Sequence, residues 1–323
     1  MGSKRLTIGI LAWNRNEPLY ELVSSLLSSK HSNLYSVIVC DDSSIIPADK
    51  ILEDFLVDDK FDIKVIRNKS NIGYAKNYRK IFFEAETDYL MIMSHDDLVI
   101  TENIPFFLEK IELSNAAFYS PIFLRKGKKY RGKSANKDIK PKDFFLASSH
   151  APGLIYDVKV CSSFFSLIQD VFHNEHPLRF YPQVSLVASL ILNGVQCKWL
   201  SKPSAKENKP APTGLKTSEN ETYSSLCPRW QQWNAFELLL SNISSKLTTQ
   251  NHNLTQEMKA SIGLLSFRFF IHGIRKDLPD SAKYFVRGAG VFIIKYYIKS
   301  FMKYFFLHKH LFKKTSLKFK NKP

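Results

Sequence analysis

Three polar clusters interrupt the N-terminal part of the chain, and each follows an apolar run. Trp13-Asn14-Arg15 comes after Leu6 to Ala12, Asp41-Asp42-Ser43-Ser44 after Tyr35 to Cys40, and Ser94-His95-Asp96-Asp97 after Tyr89 to Met93. Adjacent aspartates repel, and each raises the pKa of the other. A hard divalent cation relieves that repulsion, and magnesium-type sites combine one or two carboxylates with substrate phosphates. Asp96-Asp97 therefore suits a metal that bridges to a diphosphate, and Asp41-Asp42 suits hydrogen bonds from a base or ribose. Acidic pairs at strand ends also occur as solvated turns or helix caps. One pair alone favours that plainer role; two pairs on one edge favour a site.

The elements that must position these clusters alternate. Pro18 to Leu27, Asp49 to Val57 and Tyr74 to Ala85 carry helical apolar spacing, and Ile63 to Ile66 reads as a further strand. Strands and helices alternating at this rhythm imply an α/β fold with a mostly parallel sheet flanked by helices. Ligands bind such sheets outside the carboxyl ends of the strands, where all three clusters fall. Residues 125–142 are strongly basic and read as an excursion or mobile loop. Beyond them, Gly153 to Tyr156 reads as a strand and Pro182 to Leu192 as a helix closed by Asn193-Gly194. Val195 to Leu200 reads as another strand, and 201–217 as a Pro- and Lys-rich loop. After Pro228 the pattern is helical.

The 323 residues, 44% of them hydrophobic, place the chain among globular proteins, and a net charge of +16 predicts an anionic partner. Cys40, Cys161, Cys197 and Cys227 form no CxxC pair, which argues against a zinc site or a disulfide framework. No apolar signal region follows Met1 to Arg5 and no stretch is long enough to span a bilayer, so a cytoplasmic location is expected.

Four segments carry a family likeness. Thr7-Ile-Gly-Ile-Leu-Ala-Trp-Asn-Arg15, Val37-Ile-Val-Cys-Asp-Asp-Ser-Ser44, Asn71-Ile-Gly-Tyr-Ala-Lys-Asn77 and Tyr89-Leu-Met-Ile-Met-Ser-His-Asp-Asp-Leu98, in this order and spacing, resemble the family 2 glycosyltransferases of GT-A fold. The resemblance implies an inverting hexosyl- or deoxyhexosyltransferase using a nucleotide-diphosphate sugar donor and Mg2+ or Mn2+. It implies Trp13 and Asn14 with Asp41 or Asp42 around the nucleotide, and Lys76 near the donor. Asp96 would face the ribose or sugar, and Asp97 would ligate the metal. Tyr181 to Leu200 resembles the acceptor-side helix and strand, its Tyr-Pro-Gln start closest to abequosyltransferase-like enzymes acting on lipid-linked O-antigen units. The chain departs from the family pattern at two places. His95 stands where a full Asp-x-Asp begins, and Pro182-Gln183 replaces the acidic pair that carries the general base. Glu175, within His173-Asn-Glu-His176, and His150, before Ala-Pro-Gly153, are the remaining candidates for that base.

The likeness also frames the domains, with a transferase domain over 1–222 and a helical region over 223–323. From Val291 the chain is basic and aromatic without one acid, and Lys295, Lys299 and Lys303 share a helical face. Such a helix lies in a membrane interface on anionic headgroups, giving a peripheral enzyme on the inner face of the cytoplasmic membrane beside a lipid-linked saccharide acceptor. A solvated helix packed on the domain is the plainer alternative. A nucleic-acid-binding protein is disfavoured because no recognition motif appears. A nucleotidyltransferase on a related sheet remains the rival. A processive synthase is disfavoured by the absence of spanning helices and of the glutamine expected before Arg229-Trp230.

Overall fold

The computed structural model describes residues 6–58, 61–208, 226–246 and 253–263. The chain divides into two units, Met1–Thr213 and Gly214–Pro323.

The first unit is built on strands whose composition dictates burial on both faces. β1 (Leu6–Ala12) is buried at every position, and β2 (Tyr35–Asp41) and β4 (Tyr89–Ser94) nearly so. Continuous apolar runs of this kind belong to parallel sheets covered on both sides. β3 (Ile63–Arg67), β2, β1 and β4 pair in that order, all parallel. The helices between them are α1 (Asn16–Leu27), the short α2 (Ala48–Ile51) and α3 (Glu53–Leu56), and α4 (Tyr74–Glu84). The single helix expected over Asp49 to Val57 is broken at Leu52, whose ψ of 14° interrupts it. Gly9 is required by close approach: a Cβ there would stand 2.6 Å from Ile81 on α4.

Beyond β4 the sheet is mixed. β9 (Leu154–Asp157) runs antiparallel to β4 and to β6 (Phe118–Arg125), β10 (Cys197–Glu207) is parallel to β6, and β5 (Asp97–Val99) closes the row antiparallel to β10. β7 (Lys128–Arg131) and β8 (Lys137–Asp138) attach to β6 and β10. The remaining helices of the unit are α5 (Ile104–Glu112), α6 (Phe144–Ser148), α7 (Val158–Ser163) and the wholly buried α8 (Pro182–Leu192). Only His95 and Asp96 separate β4 from β5, so the chain spans at most about 11 Å between them. In a flat sheet the four strand spacings from β4 to β5 would need about 19 Å. The sheet must therefore curl, and the curl brings its last edge back to the end of β4.

Two expectations are corrected. Residues 201–207 are not loop but the continuation of β10; Pro203 is tolerated because it sits at register shifts between Trp199 and Ala205. Residues 125–142 are not a loose excursion. Lys126 and Gly127 both take positive φ, 49° and 71°, closing a two-residue hairpin between β6 and β7.

In the second unit α9 (Leu226–Ser245) and a helix over 253–263 are joined by Lys259 Nζ donating to Ser241 Oγ at 2.6 Å. Trp233, Phe236, Leu240, Ile243, Met258 and Ile262 are buried. Among the described residues no helix is long and apolar enough to cross a membrane. The amphipathic tail expected from Val291 lies outside the described residues.

Candidate active site

The turns after β1 and β2 are locked to each other. Asn14 (φ 52°) and Ser43 (φ 61°) both hold left-handed backbone, a cost that surrounding bonds must offset. The Asn14 amide donates to Ser44 Oγ at 2.9 Å, and the Asn14 side-chain carbonyl accepts from the Ile45 amide at 2.8 Å. This strap leaves the neighbouring Trp13 about half exposed (48%) at the carboxyl edge, an aromatic face free for stacking.

Asp41 is fully enclosed. Its carboxylate accepts from the amides of Ser44 (2.9 Å) and Ala48 (3.2 Å) and pairs with Arg67 at 2.7 Å. The expectation of a base or ribose on Asp41 is thus corrected, because a side chain without exposed surface reaches no ligand. Asp42 accepts from Asn68 Nδ2 (2.9 Å) and from the amides of Ile72 (2.8 Å) and Gly73 (3.0 Å). Those amides open α4, so Asp42 sits on the positive end of the helix dipole. Asn77 donates to the Cys40 carbonyl at 2.9 Å and Lys80 to Asn68 at 2.7 Å, completing the network. Gly73 needs its φ of 86°, and a Cβ would meet Asn174 at 2.8 Å. The spacing of Asn71, Gly73 and Asn77 is thereby explained by the turn it builds. Lys76 stands exposed on the first turn of α4.

The second acidic pair is differently placed. His95 is tied to the Leu11 carbonyl at 2.8 Å through Nδ1, and Ser94 Oγ donates to Asp96. Asp97 opens β5 and is buried, with its carboxyl pushed up to about 8 by burial, then by Asp96 and Glu207. Glu207 lies opposite Asp97 in the β5–β10 register, and Arg125 Nε donates to Glu207 at 2.7 Å from β6. Lys128 follows opposite Arg125 across the hairpin. Asp97, Glu207, Arg125 and Lys128 thus form one cross-strand row of two acids and two bases, and cross-strand partners share a face. Glu207 is not evident from sequence because 201–217 reads as loop, nor is Arg125 because 125–142 reads as an excursion.

No group of three His, Cys, Asp or Glu side chains able to hold a metal exists among the described residues. The fit is instead that of a cation held by one or two carboxylates and completed by ligand oxygens and water. A buried carboxyl pushed up beside a second aspartate fits such a cation, whose charge would draw it back to the ionised form.

The candidate bases differ. The His150 ring packs 4.2 Å from Phe123 and is pushed down to about 3 by burial, then by Arg131 and Arg125. Burial and the two guanidiniums thus weaken it as a proton acceptor. Glu175 is exposed on the turn whose Asn174 abuts Gly73, and so neighbours the Asp42 turn. Gln183, at the start of α8, is buried with its side-chain carbonyl unpartnered.

A curled mixed sheet with one acidic pair ordering a nucleotide-type turn and another opening its last edge strand defines a GT-A glycosyltransferase. The model of glycosyl transferase family 2 matches residues 7–173, more than half of the chain, and the chain belongs to that family. A search of curated proteins finds no match. Among solved structures, S. aureus TarS 1-349 in complex with UDP-GlcNAc is similar at 15% identity and TM-score 0.64, over 92% of this chain and 81% of that one. The mannosyltransferase PcManGT from Pyrobaculum calidifontis, in complex with GDP-Man and Mn2+, is similar at 10% identity and TM-score 0.51, over 91% and 82%.

Proposed function

We propose that this family 2 glycosyltransferase is a metal-dependent inverting enzyme. It moves one hexosyl or deoxyhexosyl unit from a nucleotide-diphosphate sugar to a lipid-linked glycan in O-antigen or other surface polysaccharide synthesis. The observation that carries the reading is Asp97, buried beside Asp96 with a carboxyl pushed up to about 8, an arrangement that a bound cation relieves. Both neighbours named above were captured with nucleotide sugars, and one with Mn2+.

A divalent cation at Asp97, with Asp96 beside it, would supply charge neutralisation for the departing diphosphate. The chain's own residues do the rest. Asp41 and Asp42 hold the turn that presents the nucleotide, with Asp42 at its rim and Trp13 offering a stacking face. Lys76 on the first turn of α4 supplies positive charge toward phosphate. The acceptor hydroxyl must lose a proton as the new bond forms. Glu175, exposed and ionisable, is the candidate acceptor of that proton. We assign sugar transfer to residues 1–222, and the basic tail from Val291 would hold the enzyme at the inner membrane face. Thermal shift of the full chain with UDP-, GDP- and TDP-sugars, with and without Mn2+, tests the reading. Stabilisation by one nucleotide class that needs the cation supports it; the absence of any nucleotide effect refutes it.

A further inference from the structure

The basic hairpin between β6 and β7 is stiffly built and aimed. Lys126 and Gly127 close it in left-handed backbone, a turn type whose twist matches its strands. Its far end is anchored by buried Arg131, whose guanidinium donates to the carbonyls of His150, Pro152 and Pro121. Gly132, at φ 103°, is pressed so close that a Cβ would stand 2.7 Å from Ile122 Cα. Arg125 stacks 4.8 Å over the half-exposed Tyr130 ring. Lys126 and Lys128 are exposed, and among the described residues neither is ion-paired.

Position gives this charge a purpose. Lys128 lies in the row Lys128, Arg125, Glu207, Asp97, three strand spacings and so at most about 14 Å along the curled sheet from Asp97. That is a distance a short saccharide spans. Arg125 is engaged by Glu207, and among the described residues Lys126 and Lys128 stand without an ion pair at the outer end of a track leading to the acidic pair. Lysine ammonium groups are point-charge phosphate binders. A membrane contact would need no alignment with the site, whereas this row ends in it.

We propose that the β6–β7 hairpin is the acceptor-docking surface and that Lys126 and Lys128 bind a phosphate of the acceptor. The attacked hydroxyl then lies a short saccharide away, toward Asp97. The inference rests on the transferase reading and specifies the acceptor class: a glycan bearing a phosphodiester or diphosphate.

Inorganic tripolyphosphate serves as the probe, measured by calorimetry on the full chain with nucleotide present and no added metal, because polyphosphate chelates Mn2+. The Lys126→Glu/Lys128→Glu double variant should bind the probe about tenfold more weakly. Lys137→Glu/Lys140→Glu, at the other end of β10, should stay within about twofold. Equal loss in both variants, or none in the first, overturns the proposal. So does loss of binding to phosphatidylglycerol–phosphatidylcholine vesicles with tripolyphosphate binding retained, which would assign the lysines to lipid headgroups. If the charge reversal does not fold, Lys126→Ala/Lys128→Ala carries the same test. A chain that binds no nucleotide refutes the transferase reading, and the difference between the two double variants, measured then on the chain alone, still reads the hairpin.

Discussion

Two acidic pairs stand at the ends of two parallel strands and look alike in sequence, yet their surroundings are opposite. Asp41 and Asp42 accept three bonds each, from Arg67, Asn68 and the amides of Ser44, Ala48, Ile72 and Gly73. Among the described residues Asp96 and Asp97 receive one hydroxyl, and burial with the repulsion of Asp96 and Glu207 outweighs Arg125 and Arg131 to push the Asp97 carboxyl up to about 8. A carboxylate has about four lone-pair sites. Where the fold fills them the residue builds a scaffold; where it does not, the unmet demand is reserved for a ligand.

The comparison breaks most visibly at Asp97. Asp97→Asn should lower sugar transfer about a thousandfold, because charge neutralisation at the departing diphosphate contributes several kcal/mol. Initial rates measure it, and a variant retaining a tenth of the activity would end the distinction between the pairs. Asp41→Asn should instead act on folding, since it weakens the bonds to the Ser44 and Ala48 amides and to the half-exposed Arg67, a loss of about 1–2 kcal/mol. Urea unfolding reads that loss, and a rate effect without a stability effect would reverse the assignment.

The sign of the pH dependence sharpens the contrast. Asp97 is raised from 3.8 to about 8 in the folded chain. Its contribution to stability is therefore present below the unfolded value and is lost as pH rises through about 8. Without added metal, Asp97→Asn should melt higher than wild type, by about 3 °C at pH 8, with the gap shrinking toward pH 4. Excess Mn2+ should close the gap by stabilising wild type alone; equal melting at every pH argues against an unmet charge. The smallest effect belongs to the strap: Ser44→Ala removes the acceptor for the Asn14 amide and should cost about 1 kcal/mol, again by urea unfolding.

Much of the fold was legible because β1, β2 and β4 announce themselves as unbroken apolar runs and α4 as an amphipathic helix. β10 was legible only to Leu200. Pro203 and the lysines around it imitate a loop, and nothing local reveals that a bulge lets Pro203 sit beside β6 without an amide to donate. Glu207, the partner of Arg125 and neighbour of Asp97, disappeared with that misreading. His150 looked titratable because a sequence does not show Phe123 and Arg131 closing over it.

Residue order alone settled that two aspartate pairs end strands on one sheet edge, because side-chain polarity and strand period are local properties. Which pair is satisfied by the fold and which is buried with its ionised form disfavoured was settled only in three dimensions. The deciding groups, Arg67 and Gly73 for one pair and Glu207 and Arg125 for the other, come from distant strands, brought there by pairing and by the curl of the sheet.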